Sequence, residues 1–272
     1  MAIIAREVAS TQAFLSALGV RELPALTSPF DPGYAPSEIE SHLAQSAHLM
    51  ATLKLSMACW QIANESASRA KIAAARAAGV EVTTGGGPFE VAVARGRFGE
   101  YLELCASMGF DRIECGEGFT TLREDPQTIV ERARAAGLRV QYELGPKHEG
   151  PITTETIQEL VVLGDRWLDA GAVQLVVEAR ESAADVGLFD AEGRLSSELA
   201  EVLADRFGLD LLTFEAPNKA SQFAFMSLLG PNVRLSNVRI EELLRVEIYR
   251  RGLHSDAFQQ ANLTPPGGVP AA

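Results

Sequence analysis

Cysteine is scarce in this sequence. Only Cys59, Cys105 and Cys115 occur in 272 residues, an odd number with no CxxC spacing. That argues against a disulfide framework and offers no zinc-ribbon pattern. Positive charge is also short: 24 Lys and Arg stand against 36 Asp and Glu, a formal net charge of −12. Phosphate backbones reward clustered basic side chains, so nucleic acid is not expected as a partner. A small anionic substrate stays compatible, because local charge in a pocket can oppose the global sign. Long apolar runs are missing too. None approaches the roughly 18 residues that span a bilayer, and the N-terminal MAIIAREVAS lacks the basic start and apolar core of a secretory signal. The expectation is a cytoplasmic protein without a membrane partner.

Several chemical signatures are absent as well. No GxGxxG lies between a first strand and helix, no HxH or HExxH spacing occurs, and no GxSxG elbow is found. These absences speak against a dinucleotide fold, a His-ligated transition metal and a serine nucleophile. Of the four histidines, His42 and His48 fall on the first helical pattern and His254 in the C-terminal segment; His148, after the fifth strand, could reach a site there.

What the chain does contain is alternation. Strand-length apolar runs at 23–27, 51–57, 80–84, 112–115, 139–144, 173–177, 209–214 and 233–235 are each followed by a helical pattern. The helical stretches are 37–50, 66–78, 98–108, 126–136, 154–170, 196–207, 218–229 and 240–251. The later strands are rich in Val, Ile, Leu and Phe, as strands buried on both faces tend to be. Gly79, Gly137 and Gly171 stand where a helix C-terminus calls for positive φ. Eight strands alternating with eight helices predict a parallel sheet, and the count favours a single-domain (β/α)8 TIM barrel over an open doubly wound sheet. Residues 1–20 would be an extension, with an extra helix capping the barrel's bottom. The barrel would occupy 21–258, and the Pro/Gly/Ala-rich 259–272 would be a flexible tail.

The residues that end the strands are the informative ones. Glu114, Glu143, Glu178 and Glu215 terminate the fourth to seventh, Lys54 sits inside the second, and Asn237 follows the eighth. A parallel barrel brings all its strand C-termini to one face, where its chemistry is done. Four carboxylates meeting there repel one another unless a cation or basic side chains balance them. Lys54, Lys147, Arg180, Lys219 and Arg239 are the basic candidates, and hard oxygen ligands with open positions suit Mg²⁺. Plainer readings stand beside these: each Glu could be an ordinary loop carboxylate, and Lys54 could point outward. Gly85-Gly86-Gly87 could admit a ligand to the backbone or simply turn tightly. Asn218 and Lys219 could make an anion site at a helix N-terminus or only a cap. Cys115, next to Glu114, faces the other side of its strand and reads as core.

These motifs, in this order, resemble the phosphosulfolactate synthase family, a barrel enzyme of coenzyme M biosynthesis. The matching segments include Thr84-Gly85-Gly86-Gly87-Pro88-Phe89-Glu90, Ile113-Glu114, and Tyr142-Glu143-Leu144-Gly145 with Lys147. Val177-Glu178-Ala179-Arg180-Glu181-Ser182, Phe214-Glu215-Ala216-Pro217-Asn218-Lys219, Leu235-Ser236-Asn237-Val238 and Arg250-Arg251-Gly252-Leu253 follow. The resemblance implies Mg²⁺-dependent addition of sulfite to phosphoenolpyruvate. It implies catalysis by Lys54, Lys147 and Glu143, and substrate binding by Arg180, Lys219, Gly86, Gly87, Asn237 and Arg239. Glu114, Glu143, Glu178 and Glu215 would be the metal-side carboxylates, and self-association into a homo-oligomer is expected.

The chain also departs from the family pattern. Asp31-Pro32-Gly33 replaces an Asp-Lys-Gly, Ala58-Cys59 a Gly-Thr, and Gly85-Gly86-Gly87 a Gly-Gly-Thr. Gly116-Glu117-Gly118 stands for a Ser-Asp-Gly and Asp256-Ala257 for an Asp-Thr. All of these are expected near the mouth, where loop changes accompany a new substrate. Two further readings therefore stay open: a diverged enzyme acting on another small acid, and a non-catalytic, stress-associated relative.

Overall fold

Strands that alternate with helices run parallel, because each crossover returns the chain to the same edge of the sheet. The computed structural model, which describes residues 10–258, 260 and 263, realises this as one closed barrel whose eight strands neighbour each other in chain order. The strands are β1 (Thr27–Asp31), β2 (Thr52–Leu55), β3 (Glu81–Thr84), β4 (Arg112–Gly116), β5 (Arg139–Leu144), β6 (Gln174–Val177), β7 (Leu212–Glu215) and β8 (Arg234–Arg239). A short helix α1 (Thr11–Ala17) precedes them. Around the barrel lie α2 (Pro36–Ser46), α3 (Cys59–Ile62), α4 (Glu65–Ala77), α5 (Gly86–Ala94), α6 (Phe98–Met108) and α7 (Pro126–Ala135). The ring is completed by α8 (Ile157–Ala170), α9 (Ser197–Phe207), α10 (Lys219–Leu229) and α11 (Leu243–Arg250). Gly79, Gly137 and Gly171 have φ of 77°, 79° and 102°, as the helix ends require. No described helix is long and apolar enough to cross a membrane.

Three strands differ from their sequence-based bounds by three residues or more. The first was expected at 23–27 but runs from Thr27 to Asp31, and its Pro29 sits where the β1–β8 register slips between Ser28 and Pro29. An irregular point in the ladder tolerates a residue without an N–H donor. The seventh starts later, at Leu212, and the eighth runs on to Arg239, so Asn237 lies within β8 rather than after it. Two helices were not expected, the four-residue α3 and the longer α5. The Gly86-Gly87-Pro88 segment reads as a turn but forms the first turn of α5, where backbone N–H groups need no intrahelical partner. The α1 helix does form within the 1–20 segment, but none of its residues is buried. Of the expected tail at 259–272, all but residues 260 and 263 lies outside the described residues.

The strands are not apolar on both faces. Their outward positions are: Tyr142 stacks on Trp167 of α8 at 4.1 Å, and Phe214 on Phe225 of α10 at 4.5 Å. Inward positions are polar instead, with Lys54, Arg112, Glu114, Gln141, Glu143 and Glu215 all buried. Strand alternation sorts the two sets. Charged groups taken out of water are costly unless paired, and each of these has partners inside the barrel.

The closure of β8 on β1 rests on a buried arginine. Arg250 of α11 donates to Glu247 Oε1 at 3.1 Å, to the Val233 carbonyl at 2.7 Å and to Thr27 Oγ1 at 3.1 Å. Thr27 in turn donates to Glu247 Oε1 at 2.6 Å, and Arg251 also pairs with Glu247. The Arg250-Arg251 segment thus ties α11 to the two strands that seal the barrel. Replacing Arg250 with Ala orphans a buried carboxylate and backbone acceptors, and is expected to cost about 3–5 kcal/mol. Urea denaturation of the R250A protein checks this as a lowered midpoint.

Candidate active site

Parallel strands point their last inward side chains at one mouth. Lys54, Glu114, Glu143 and Glu215 occupy that position on β2, β4, β5 and β7, and Glu178 immediately follows β6. All five line one cavity of about 1010 Å³, together with Lys147, Arg180, Asn237 and the backbone of Gly85, Gly86 and Gly87. The carboxylates are organised by two lysines. Lys54 Nζ lies 2.7 Å from Glu114 Oε1 and 3.2 Å from Glu215 Oε1, bridging the barrel from β2 to β4 and β7. Lys147, in the loop after β5, pairs with both Glu143 and Glu178.

The remaining oxygens of the Lys54 cluster are also satisfied. Gly86 N–H donates to Glu114 Oε1 at 2.9 Å, Gln141 Nε2 to Glu114 Oε2 at 2.8 Å, and Ala179 N–H to Glu215 Oε2 at 3.0 Å. Arg180 N–H donates to Glu178 Oε1 at 2.5 Å, and the Arg180 guanidinium to the Lys147 carbonyl at 3.3 Å. Three non-glycine residues lining the cavity hold positive φ: Met57 at 51°, Arg180 at 53° and Asn237 at 52°. Such backbone is costly and persists where the surroundings enforce it. Asn237 also carries a buried Oδ1 without a hydrogen-bond partner.

Burial and charge pull these groups apart. Burial pushes the Glu114 carboxyl up to about 7, over the opposing pull of Lys54. Burial alone would depress Lys54, but Glu114 and Glu215 hold its ammonium above the ordinary lysine value. Around Lys147 the carboxylates divide. Burial would raise Glu143, but Lys147 holds it well below the carboxylate range. Burial and the charge on Glu143 push Glu178 far above it. Two carboxyls this close share their protons as one unit.

Other expected residues are placed differently. Lys219 and Arg239 lie off the cavity lining. Lys219 pairs with Asp256 at 3.0 Å and lies over the Phe223 ring, and the exposed Arg239 faces Glu241 at 3.8 Å. Position 219 is the first residue of α10, whose cap is Asn218: its side chain accepts from Ser221 N–H at 3.0 Å and donates to the Ser182 carbonyl at 2.8 Å. His148 lines a neighbouring cavity of about 630 Å³ that shares Glu143 and Phe119 with the first. Cys115 is buried on the outward face. Not every departure from the family pattern reaches the mouth. Ala58 and Gly85 to Gly87 line the cavity, but Pro32, which stands for the Lys, does not, and its neighbour Asp31 faces α4, pairing with Lys71.

Gln141 and Glu90 escaped the sequence reading. Gln141 lies two residues before Glu143, so strand period alone puts both on the inward face. Arg112 reaches Gln141 Oε1 at 3.4 Å and pairs with Glu81, continuing the polar column below Glu114. Glu90, fully buried on α5, accepts from Phe119 N–H and Thr120 N–H, both at 2.9 Å. A lone Glu in an apolar helix was the available signal.

Known proteins resemble this chain over most of its length. Residues 24–256 match the family model described as (2R)-phospho-3-sulfolactate synthase (ComA). The chain is 32% identical over 234 residues to a phosphosulfolactate synthase of Methanocaldococcus jannaschii, covering 86% of this chain and 93% of that protein. It is 29% identical over 239 residues to that of Methanothermobacter thermautotrophicus, covering 88% and 93%. A phosphosulfolactate synthase of Bacillus subtilis is 27% identical over 175 residues, 64% of this chain and 69% of that one. Among solved structures, 3-hexulose-6-phosphate synthase from Salmonella typhimurium superposes with a TM-score of 0.53 at 12% identity, covering 82% of this chain and 99% of that chain. At that identity the likeness concerns the barrel alone.

The raised carboxyl of Glu114 has a measurable consequence. A carboxyl whose folded-state pKa exceeds its unfolded value favours the fold while protonated. The contribution of Glu114 is therefore complete below the ordinary carboxylate value and is lost as pH rises through about 7. Glu114→Gln, which cannot ionise, is expected to show a flatter stability profile than wild type between about pH 5 and 8. Denaturant titrations across that range check it, and equal slopes in the two proteins would contradict it.

Proposed function

The chain belongs to the (2R)-phospho-3-sulfolactate synthase family, and on that premise we propose that it is a cytoplasmic, Mg²⁺-dependent carbon–sulfur lyase. Its reaction would add sulfite, or a related nucleophile, to phosphoenolpyruvate or a similar small enol acid. The observation that carries this reading is the convergence of Lys54, Lys147 and Arg180 with four carboxylates in one cavity at the strand C-termini.

Attack of the sulfite sulfur on C3 forms the C–S bond and pushes the C2–C3 π electrons toward the carboxylate, as an enediolate-like species. A proton must then be added at C2. Lys147 is the donor, being partly exposed to the cavity, whereas Lys54 is locked between Glu114 and Glu215 and supplies fixed positive charge. Glu143 and Glu178 keep Lys147 protonated but also make it a weaker acid, so they need another counter-charge as its proton leaves. Arg180, and the backbone of Gly86 and Gly87, hold the phosphate or carboxylate, and Asn237 offers its buried amide. Lys219 and Arg239 would serve the same anion only from outside the lining.

Four carboxyls face two lysines here, and the protons that burial keeps on Glu114 and Glu178 are ones that Mg²⁺ would displace. Among the described residues no three acidic, His or Cys side chains close a metal shell. An ion here would have to take its remaining ligands from substrate and water. Glu143 and Glu178 would hold the ion, with Glu114 and Glu215 behind them on Lys54. When bound, it would supply positive charge to stabilise the enediolate-like carboxylate. Exposed Val162, Leu244 and Ile248 on the outer helices support the expected self-association.

A second reading, a diverged enzyme acting on another phosphorylated or carboxylic acid, is favoured by Gly87, which lines the cavity where the family pattern carries a hydroxyl. Incubation with phosphoenolpyruvate, sulfite and Mg²⁺, followed by mass spectrometry, separates the two. The first reading expects an adduct that is lost with chelator and with Glu143→Ala, and that falls by about 100-fold or more in Lys147→Met. No adduct, but thermal stabilisation by phosphorylated acids, supports the second. Neither turnover nor binding would reject both.

A further inference from the structure

The cavity is larger than a three-carbon acid and sulfite require. At about 1010 Å³ it lies at the upper end of the roughly 300–1,000 Å³ that holds drug-sized ligands. Lys54, Lys147 and the four carboxyls are gathered at one end, over the strand C-termini. From there it extends along α5, which presents Gly87, Val91 and Arg95 at helical i,i+4 spacing. Met57, Val91, Leu104 and Phe119 line this extension, and each is 38–52% exposed. Large apolar side chains left open together beside a polar site mark a binding surface.

One wall is held in place. The Phe119 and Thr120 N–H groups and the Thr120 hydroxyl all donate to Glu90 Oε2, at 2.9, 2.9 and 3.0 Å, and Glu90 is fully buried. Phe119 is thereby set out over the cavity, with its Cε1 3.9 Å from the place a Cβ on Gly87 would occupy. The hydroxyl that the family pattern carries after the two glycines is absent at Gly87, so this floor offers no polar side chain. The outer rim turns polar again at Arg97 and Glu100, which pair at 2.7 Å.

We propose that this apolar extension is a second half of the substrate site, and that it takes a hydrocarbon or aryl substituent carried by the small acid bound at the lysines. The inference rests on the anion-site reading given above and names the class of acid that site accepts. A substituent placed there covers Met57, Val91, Leu104 and Phe119 and gains the transfer free energy of its own apolar surface. An unsubstituted acid leaves them wet.

Calorimetric titration of the full chain with phosphoenolpyruvate and with its 3-phenyl analogue, in Mg²⁺, tests the proposal. The analogue is expected to bind about tenfold tighter or more. In Val91→Asp, a substitution at a half-exposed position, the ratio of the two affinities is expected to fall to about one. Binding of the analogue alone also supports the extension, while removing phosphoenolpyruvate as the natural ligand. Phosphoenolpyruvate binding with no advantage for the analogue overturns the extension and leaves the anion site standing. If neither acid binds, the anion-site reading fails and takes the extension with it. Light scattering that shows a dimer dissociated by Val91→Asp would assign the patch to a second copy of the chain and overturn the proposal.

Discussion

A lysine buried inside a barrel, bridging carboxylates from two opposite strands, is the constraint on which the mouth of this protein depends. Lys54 reaches Glu114 and Glu215 from β2, so three non-adjacent strands meet through one ammonium. Removing any of these charges from water costs several kcal/mol, and the cost is offset only because every oxygen finds a donor. Gly86 N–H, Ala179 N–H and Gln141 complete the set. The barrel interior is therefore a polar column, and its core is the outer layer between strands and helices.

The same economy explains the backbone around the site. Arg180 and Asn237 hold left-handed conformations at the ends of β6 and within β8, where side chains must turn toward the cavity. The α5 helix starts with its N–H groups at the mouth, and Glu90 within it fastens the loop after β4. Lys147 differs from Lys54 in being partly open to the cavity, with Glu143 and Glu178 as its counter-charges. In the proposed reaction a fixed cation and a more accessible one, a few strands apart, would divide charge stabilisation from proton transfer.

Much of this was legible before any coordinates. Alternation of apolar runs and helices gave the strand count, and parallel topology brought Glu114, Glu143, Glu178 and Glu215 together without knowledge of their contacts. Lys54 was legible because an isolated cation in an apolar run is anomalous. The misplacements have local causes. The α5 helix is hidden in the sequence because two glycines and a proline open it. Lys219 and Arg239 lie close in sequence to site residues, yet a helix start and a strand end carried them to the surface.

The sequence by itself determined the barrel and the convergence of four carboxylates, because periodicity and strand direction are local properties that topology converts into position, and its motifs carried the family resemblance. Tertiary structure alone decided which cation answers which carboxylate. It also placed Gln141 behind Glu114 and Glu90 behind Phe119, and opened the cavity along α5 beyond the charged mouth. Those are relations between side chains far apart in the chain, set by strand register and helix packing, and no spacing in the sequence encodes them.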